Sequence, residues 1–487
     1  MTARHPSLTR RRLIARSVLA LCAASLPTIR LRAQAISPVM RTLSEYMAAA
    51  KDRALPAAVA EKAKHHILDT FAAMISGSEL PPGRVALTLA RAQAGRPVST
   101  VVGSTILTGP VDAALVNGVL AHSDETDDSH GPSQSHPGAS IVPAALALGE
   151  DLGVSGEHFL RAVTLGYDVG PRFTIALGGP TFREETRRST HALAGNFGSA
   201  AAAASVAGLT APQMRWVLDY ASQQASGYAI WGRDTDHIEK GFVFGGMPAR
   251  NGVTSAIVVA AGWNGVDDVL SGDDNFFQVN APEGKVELLA DGLGERFEVV
   301  GTDIKKWTVG TPIQAPLDAM EIIRRTRPFE AADVARVNVR LAPVVGAVVD
   351  NRDIPDICLQ HMVAVMLVDK TASFHAAHDK ARMQDAVILR ERRKVTYTPD
   401  PSLDRLLPVR VAIVEITFTD GTELSEQVTA VRGTVRNPMP RAEVVDKARD
   451  LIAPVLGTST AQSLIATILA IEAVPNIRAF RPLLQKA

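Results

Sequence analysis

Cysteine is almost missing from this chain: 487 residues carry two, Cys22 and Cys358. Two thiols cannot supply the ligands of a usual iron–sulfur cluster or cysteine-rich zinc site, and cannot build a disulfide framework. An excess of one charge is missing too, with 51 basic and 51 acidic residues. No run reaches the ~18 uncharged apolar residues of a membrane-spanning helix, so no integral membrane protein is expected. What is there is ordinary for a soluble globular chain, 46% apolar and 21% charged, which excludes disordered, collagen-like and coiled-coil classes. At roughly 150 residues per domain the length allows two or three folded units. Any chemistry must run on histidine, lysine, carboxylates and hydroxyls.

Residues 1–35 hold seven arginines and no acid, followed by small and apolar residues from Ser17 to Leu26. Thr9-Arg10-Arg11-Arg12-Leu13-Ile14 resembles a twin-arginine export signal, and Ala33-Gln34-Ala35 offers a cleavage site. The expectation is export to the periplasm or beyond; an organellar transit peptide or a plain basic tail are the rival readings. Cleavage after Ala35 removes Cys22 and leaves 44 basic against 51 acidic residues, a net charge near −7. That sign argues against a nucleic-acid partner.

From about 36 to 300 apolar residues recur every three or four positions, as in packed helices, with Gly and Pro at the breaks. Tyr46 to Ser76 reads as two helices, with Pro56 in the first turn of the second. Further helices are expected over Pro110–His122, Ala139–Leu152, Gly156–Phe173 and Gly195–Ala207, and a small hairpin over Ser99–Leu107. After residue 300 the texture changes. Ala335–Leu341 and Val409–Phe418 alternate as half-buried strands do, the latter turning at Asp420-Gly421 into Glu423–Val431, and Pro355–Val368 reads as a helix. Asn437-Pro438-Met439-Pro440 then returns the chain to helices at Ala442–Leu456 and Thr460–Ile471. The expected fold is mainly α with an α/β lid: a discontinuous helical domain, 36–300 plus 438–487, with a smaller α/β domain inserted at 301–437.

The most unusual stretch runs from His122 to His136, fifteen residues with three histidines and four carboxylates set between two apolar helices. Such groups cost free energy unless they are solvated or partnered, so the loop is either a solvated connection that caps the next helix or a functional site. Divalent-metal binding by His122, Asp124, Asp127, Asp128 and His130 is chemically feasible, but no recognised ligand spacing is present, and the expectation is no metal and no cofactor.

This loop, with His65-His66-Ile67-Leu68-Asp69-Thr70-Phe71, Val142-Pro143-Ala144, Thr190-His191 through Gly198, and Gly246 to Gly252, resembles the MmgE/PrpD family in order and spacing. The resemblance implies a cofactor-independent lyase of small di- or tricarboxylates, often a homodimer, with a helical domain and a lid. It makes His136 the leading general acid/base and sets His191 in the same pocket. Lys305 and Lys240 match the family's pocket lysines, which would offset substrate carboxylates and enediolate charge. Glu125 stands where an aspartate is found, Ser129 where threonine is common, and His361 where the family has a tyrosine. Gly310 replaces a position that carries histidine in some members. Arg187, Arg188, Arg233 and Arg250 are spare guanidiniums for clamping a carboxylate, and Arg188 and Arg250 are taken as substrate-binding candidates.

The reading is therefore an exported lyase that eliminates water, less readily carbon dioxide, from a polycarboxylate by His/Lys acid–base chemistry. An isomerase using the same proton abstraction, a non-catalytic carboxylate-binding protein, and more remotely a metal-dependent hydrolase, stay open.

Overall fold

Helix after helix is announced by proline or a short hydroxyl side chain. The computed structural model describes residues 35–93 and 95–486, so the arginine-rich leader lies outside the described residues. Helix α1 (Pro38–Ala49) starts with the Ser37 hydroxyl accepting from the Met40 N–H, which satisfies one of the free amides of a helix start. Helix α2 (Ala57–Gly77) begins one residue later than the sequence implied, because Pro56 is its N-cap with extended backbone and does not lie inside its first turn. Helix α3 (Pro81–Ala92) follows, and then β1 (Ser99–Thr100) and β2 (Leu107–Thr108) form a two-stranded antiparallel pair.

Four long helices then build the interior: α4 (Pro110–Ala121), α5 (Gly138–Leu152), α6 (Gly156–Leu177) and α7 (Thr190–Val206). All seventeen residues of α7 are buried, and small residues make this feasible by letting helix backbones come close. It packs on α6 and on α9 (Met247–Ala260), with α8 (Ala211–Gln223) beside both α7 and α9. A π-helical turn, Phe242–Gly246, leads into α9. There Gly245 meets Gly118 of α4 so closely that a Cβ on either would overlap the other's backbone. This crossing seats the turn, and with it Phe244, against the polar loop between α4 and α5.

After α10 (Thr311–Thr326) comes a mixed four-stranded sheet of order β4-β3-β5-β6, made of β3 (Val334–Leu341), β4 (Val395–Pro399), β5 (Ala412–Phe418) and β6 (Glu423–Val428). β3 runs parallel to β4 and antiparallel to β5, with Val339 opposite both Tyr397 and Val414. Alternation sends Ala412, Val414, Ile416 and Phe418 inward, onto α10 and onto α11 (Leu359–Asp369). The last long helices, α12 (Arg441–Leu456) and α13 (Thr458–Leu469), pack back on α2. From Ser37 onward the chain forms one compact unit. It is mostly helical with a small mixed sheet, and among the described residues no helix is long and apolar enough to cross a membrane.

Candidate active site

The polar loop between α4 and α5 is not solvated. His122, Thr126, Asp127 and Asp128 are fully buried, and Asp124 and Glu125 are 4% and 7% exposed. Each buried polar group therefore needs a partner. Asp128 serves the scaffold: one oxygen accepts from the Gly138 N–H that opens α5 (3.0 Å), the other from Tyr167 (2.5 Å), with His66 at 2.8 Å. The capping expected of a plain connection is thus present at that one residue. Lysines brought in from distant segments hold the rest. Lys447 of α12 donates to the Thr126 carbonyl (2.9 Å), and Lys305 donates to the Glu125 carbonyl (2.7 Å).

Asp127 is the centre. Its two oxygens meet Nδ1 of His122 (2.9 Å) and Nδ1 of His136 (3.1 Å), while the Lys305 ammonium stands 3.7 Å away. Burial works to raise this carboxyl, and the two imidazoles outweigh it, holding Asp127 well below the usual carboxylate range. Glu125 shows the same balance. Burial raises it, but Lys240, in direct contact with one oxygen, and Lys305, 3.6 Å from the other, hold it ionised.

Phe244 is the floor. His191 stacks on it at 3.8 Å between ring centroids, His122 at 4.6 Å, and His136 lies tilted at 5.6 Å. His136 and His191 are 5.2 Å apart, and Trp231 stands edge-on to Phe244 at 4.7 Å. Burial against these rings pushes His136 and His191 below the ordinary imidazole range, His191 further, and His237 down to about 3. Nδ1 of His191 and Nε2 of His122 and His237 are buried without a hydrogen-bond partner among the described residues, an arrangement that leaves acceptors free for a ligand.

A second buried pair flanks the loop. His378 Nε2 meets Asp124 at 2.8 Å. Burial opposes a charge on His378, and the Asp124 carboxylate overcomes it, raising the ring to about 9. Asp356, nearby, is pushed by burial up to about 7.

Of the residues expected from sequence, the fold brings Glu125, His136, His191, Lys240 and Lys305 into this one cluster. Ser129 pairs through its backbone with Asp303 (3.0 and 2.8 Å) at the cluster's edge, in the wall of a cavity that Lys305 also lines. His361 goes elsewhere. It is fully buried on α11, neither ring nitrogen has a partner among the described residues, and the charges it feels are Arg392, Arg382 and Asp379; burial takes it down to about 4. Arg188 donates to the Ala225 carbonyl (2.8 Å) and Arg250 to the Asn251 side chain (2.9 and 3.2 Å), so neither guanidinium is directed to the histidines by its contacts. Gly310 caps α10 and donates its N–H to the Asp356 carbonyl (2.9 Å).

Asp127 and His122 were legible only as members of a polar loop, and Phe244, Trp231, His237 and His378 carried no local signal. His122, Asp127 and His136, and separately His122, Glu125 and His237, present ligand-type atoms within 4.8 Å of one another, a set that suits a divalent ion. In both sets the carboxylate is already compensated by a lysine of the protein.

Buried imidazoles, an ionised carboxylate and two lysines around one aromatic floor define an acid–base site on a helical scaffold. The chain belongs to the MmgE/PrpD family: the MmgE/PrpD N-terminal domain matches residues 41–289 and the C-terminal domain residues 307–473. Among its relatives, the cis-aconitate decarboxylase of Aspergillus terreus (strain NIH 2624 / FGSC A1156) is 26% identical over 456 residues, covering 87% of this chain and 91% of that protein. The cis-aconitate decarboxylase of Homo sapiens is 25% identical, covering 88% and 90%, and that of Mus musculus 26% identical, covering 74% and 75%. These relatives support a lyase-type enzyme.

Proposed function

We propose that this protein is a lyase that removes water from a small di- or tricarboxylic acid, using its own side chains as acid and base. The observation that carries this is the 3.1 Å contact between Asp127 and Nδ1 of His136. A neutral ring that donates from Nδ1 to a carboxylate has its lone pair on Nε2, the form that accepts a proton. His136 then abstracts the proton from the carbon α to a substrate carboxylate. Lys305 and Lys240 offset the enediolate charge as it develops, in a site dry enough for that charge to matter. His191, 5.2 Å from His136, delivers a proton to the departing hydroxyl; a bound polyanion beside it raises its affinity for that proton.

Loss of carbon dioxide is the second reading, favoured by the names of the relatives. It too needs a protonated ring, here to quench the carbanion, so the lowered proton affinity of His136 and His191 bears on both readings alike. The test follows a panel of hydroxylated and unsaturated polycarboxylates by absorbance of a new conjugated C=C and, in parallel, by carbon dioxide release. Alkene formation without gas supports dehydration; gas release assigns decarboxylation; solvent deuterium entering substrate without either assigns an isomerase. Full activity in His136→Ala removes the role given to that residue. The leader supports export by the twin-arginine route, so the same reading places the enzyme outside the cytoplasm.

A further inference from the structure

Arg410 is a half-buried cation that makes no hydrogen bond or ion pair with any described residue. It lies just before β5 and lines a cavity of about 450 Å³ together with Ser129 and Lys305. Lys305 is shared: its ammonium turns to Glu125 and Asp127, so the cavity and the histidine cluster meet at this side chain. Of the other guanidiniums in the cavity wall, Arg432 is committed to Glu443 (2.6 and 2.8 Å) and Asn437 (2.8 Å), and Arg436 is exposed to solvent. Of that wall's three guanidiniums, Arg410 alone is both half-buried and without a hydrogen bond or ion pair among the described residues.

A second guanidinium, Arg183, is close enough for Arg410 to feel its charge. Arg183 donates to the neutral side chain of Gln134 (3.1 Å) and lies 5.3 Å over the Trp231 ring, which in turn stands edge-on to His191 at 5.6 Å. Burial lowers the proton affinity of both arginines, and Arg410 also feels Arg183 as a like charge and Glu125 as its attractive one. Like charges held near each other are unfavourable in the empty protein and become favourable when an anion bridges them.

We propose that Arg410, in the cavity it shares with Lys305 and with Arg183 near it, is the clamp for the substrate carboxylate remote from the reacting carbon, and that it sets the preference for polycarboxylates over monocarboxylates. The planar fork of arginine matches a carboxylate with two parallel hydrogen bonds. Lys305 then holds the carboxylate next to the reacting carbon while the guanidiniums hold the distant one. This rests on the lyase reading for its chemistry, but the clamp itself is a binding claim.

The experiment is titration calorimetry on the full purified chain with propane-1,2,3-tricarboxylate, which has neither hydroxyl nor double bond to react, and with butyrate as the monocarboxylate. Arg410→Ala is expected to weaken the tricarboxylate about 10–100-fold, the loss of a charged hydrogen-bonded pair, with Arg410→Lys recovering part of it and butyrate unaffected. Arg183→Gln, read the same way, provides a second variant, and melting curves report whether each remains folded. On any acid that is turned over, Arg410→Ala should raise KM with kcat little changed. Unchanged tricarboxylate affinity in folded Arg410→Ala, or no tricarboxylate binding by the wild-type chain, overturns the clamp. Tight tricarboxylate binding that Arg410→Ala weakens, with no turnover of any acid, sustains the clamp and removes the lyase reading instead.

Discussion

His122 and His136 are joined through opposite oxygens of one carboxylate, Asp127, at 2.9 and 3.1 Å. A carboxylate so shared fixes the tautomer and orientation of both rings at once, and the 4.9 Å separation of their centroids follows from it. Asp127→Asn keeps the shape but offers an amide where one ring needs an acceptor. The expected result is a fall in kcat of roughly 10²–10⁴-fold with a smaller change in KM, measured by steady-state kinetics on whichever acid the panel identifies. Unchanged kcat would mean that Asp127 does not orient the base.

The pH profile follows from the lowered proton affinity of His136 and His191. His136, as base, is neutral above its lowered pKa, and His191, as acid, loses its proton above its own lowered pKa, so kcat/KM should be greatest below about pH 6.5 and fall as the pH rises through neutrality. An acid limb centred above that pH would contradict the assignment.

Lys305 and Lys240 both serve Glu125, but only Lys305 also reaches Asp127 and the Glu125 carbonyl. It is 4% exposed. Lys305→Met should therefore cost both activity, by about 10²–10³-fold, and stability, by about 3–5 kcal/mol, because buried carboxylates are left without their counter-charge. Lys240→Met should cost activity with a smaller loss of stability. Equal melting temperatures for the two variants would refute this ranking.

The Asp124–His378 pair predicts a pH-dependent stability with a definite sign. The ring is raised to about 9 in the folded chain from an ordinary value of about 6.5. Its contribution is therefore complete below pH 6.5 and is lost as the pH rises through 9. Asp356, raised to about 7, adds a loss of stability of the same sign in a lower window, complete below the ordinary aspartate value and lost as the pH rises through 7. Denaturant unfolding of His378→Ala at pH 6 should show a loss of about 3–5 kcal/mol, shrinking towards pH 9. A constant difference across that window would show that the ring is not charged in the native state.

The leader gives a prediction about address. Replacing Arg10, Arg11 and Arg12 by lysine should keep the chain in the cytoplasm, whereas the native leader should be removed after Ala35, so that the exported form begins at Ile36. Cell fractionation with N-terminal sequencing reads both outcomes.

Legibility differed with the range of the interaction. β5 could be read because its inward residues alternate without interruption from Ala412 to Phe418. β4 could not: its five residues follow a charged turn and end in Pro399, and it is a strand because β3 pairs with it in parallel from Val337 onward. The helices of the interior were visible from their period, with ends displaced by a few residues. In the site, His136 and His191 stood out beside proline and threonine in recognisable blocks. Arg410 lies about 270 residues from His136, and its lack of a partner is a fact of three-dimensional placement that no local pattern reports. His361 teaches the converse: its position in a recognisable segment suggested the pocket, while on α11 it lies buried among the charges of Arg392, Arg382 and Asp379.

The crossing of α4 with the π-helical turn at Gly118 and Gly245 divides the site into parts that can change and parts that cannot. Imidazoles, carboxylates and guanidiniums reach the pocket as side chains, so a substitution there alters chemistry or charge while leaving the backbone path intact. Phe244 reaches it only because two backbones touch where neither residue has anything beyond its α-carbon. Room for substitution in this site therefore lies around the half-buried Arg410, and none exists at those two glycines.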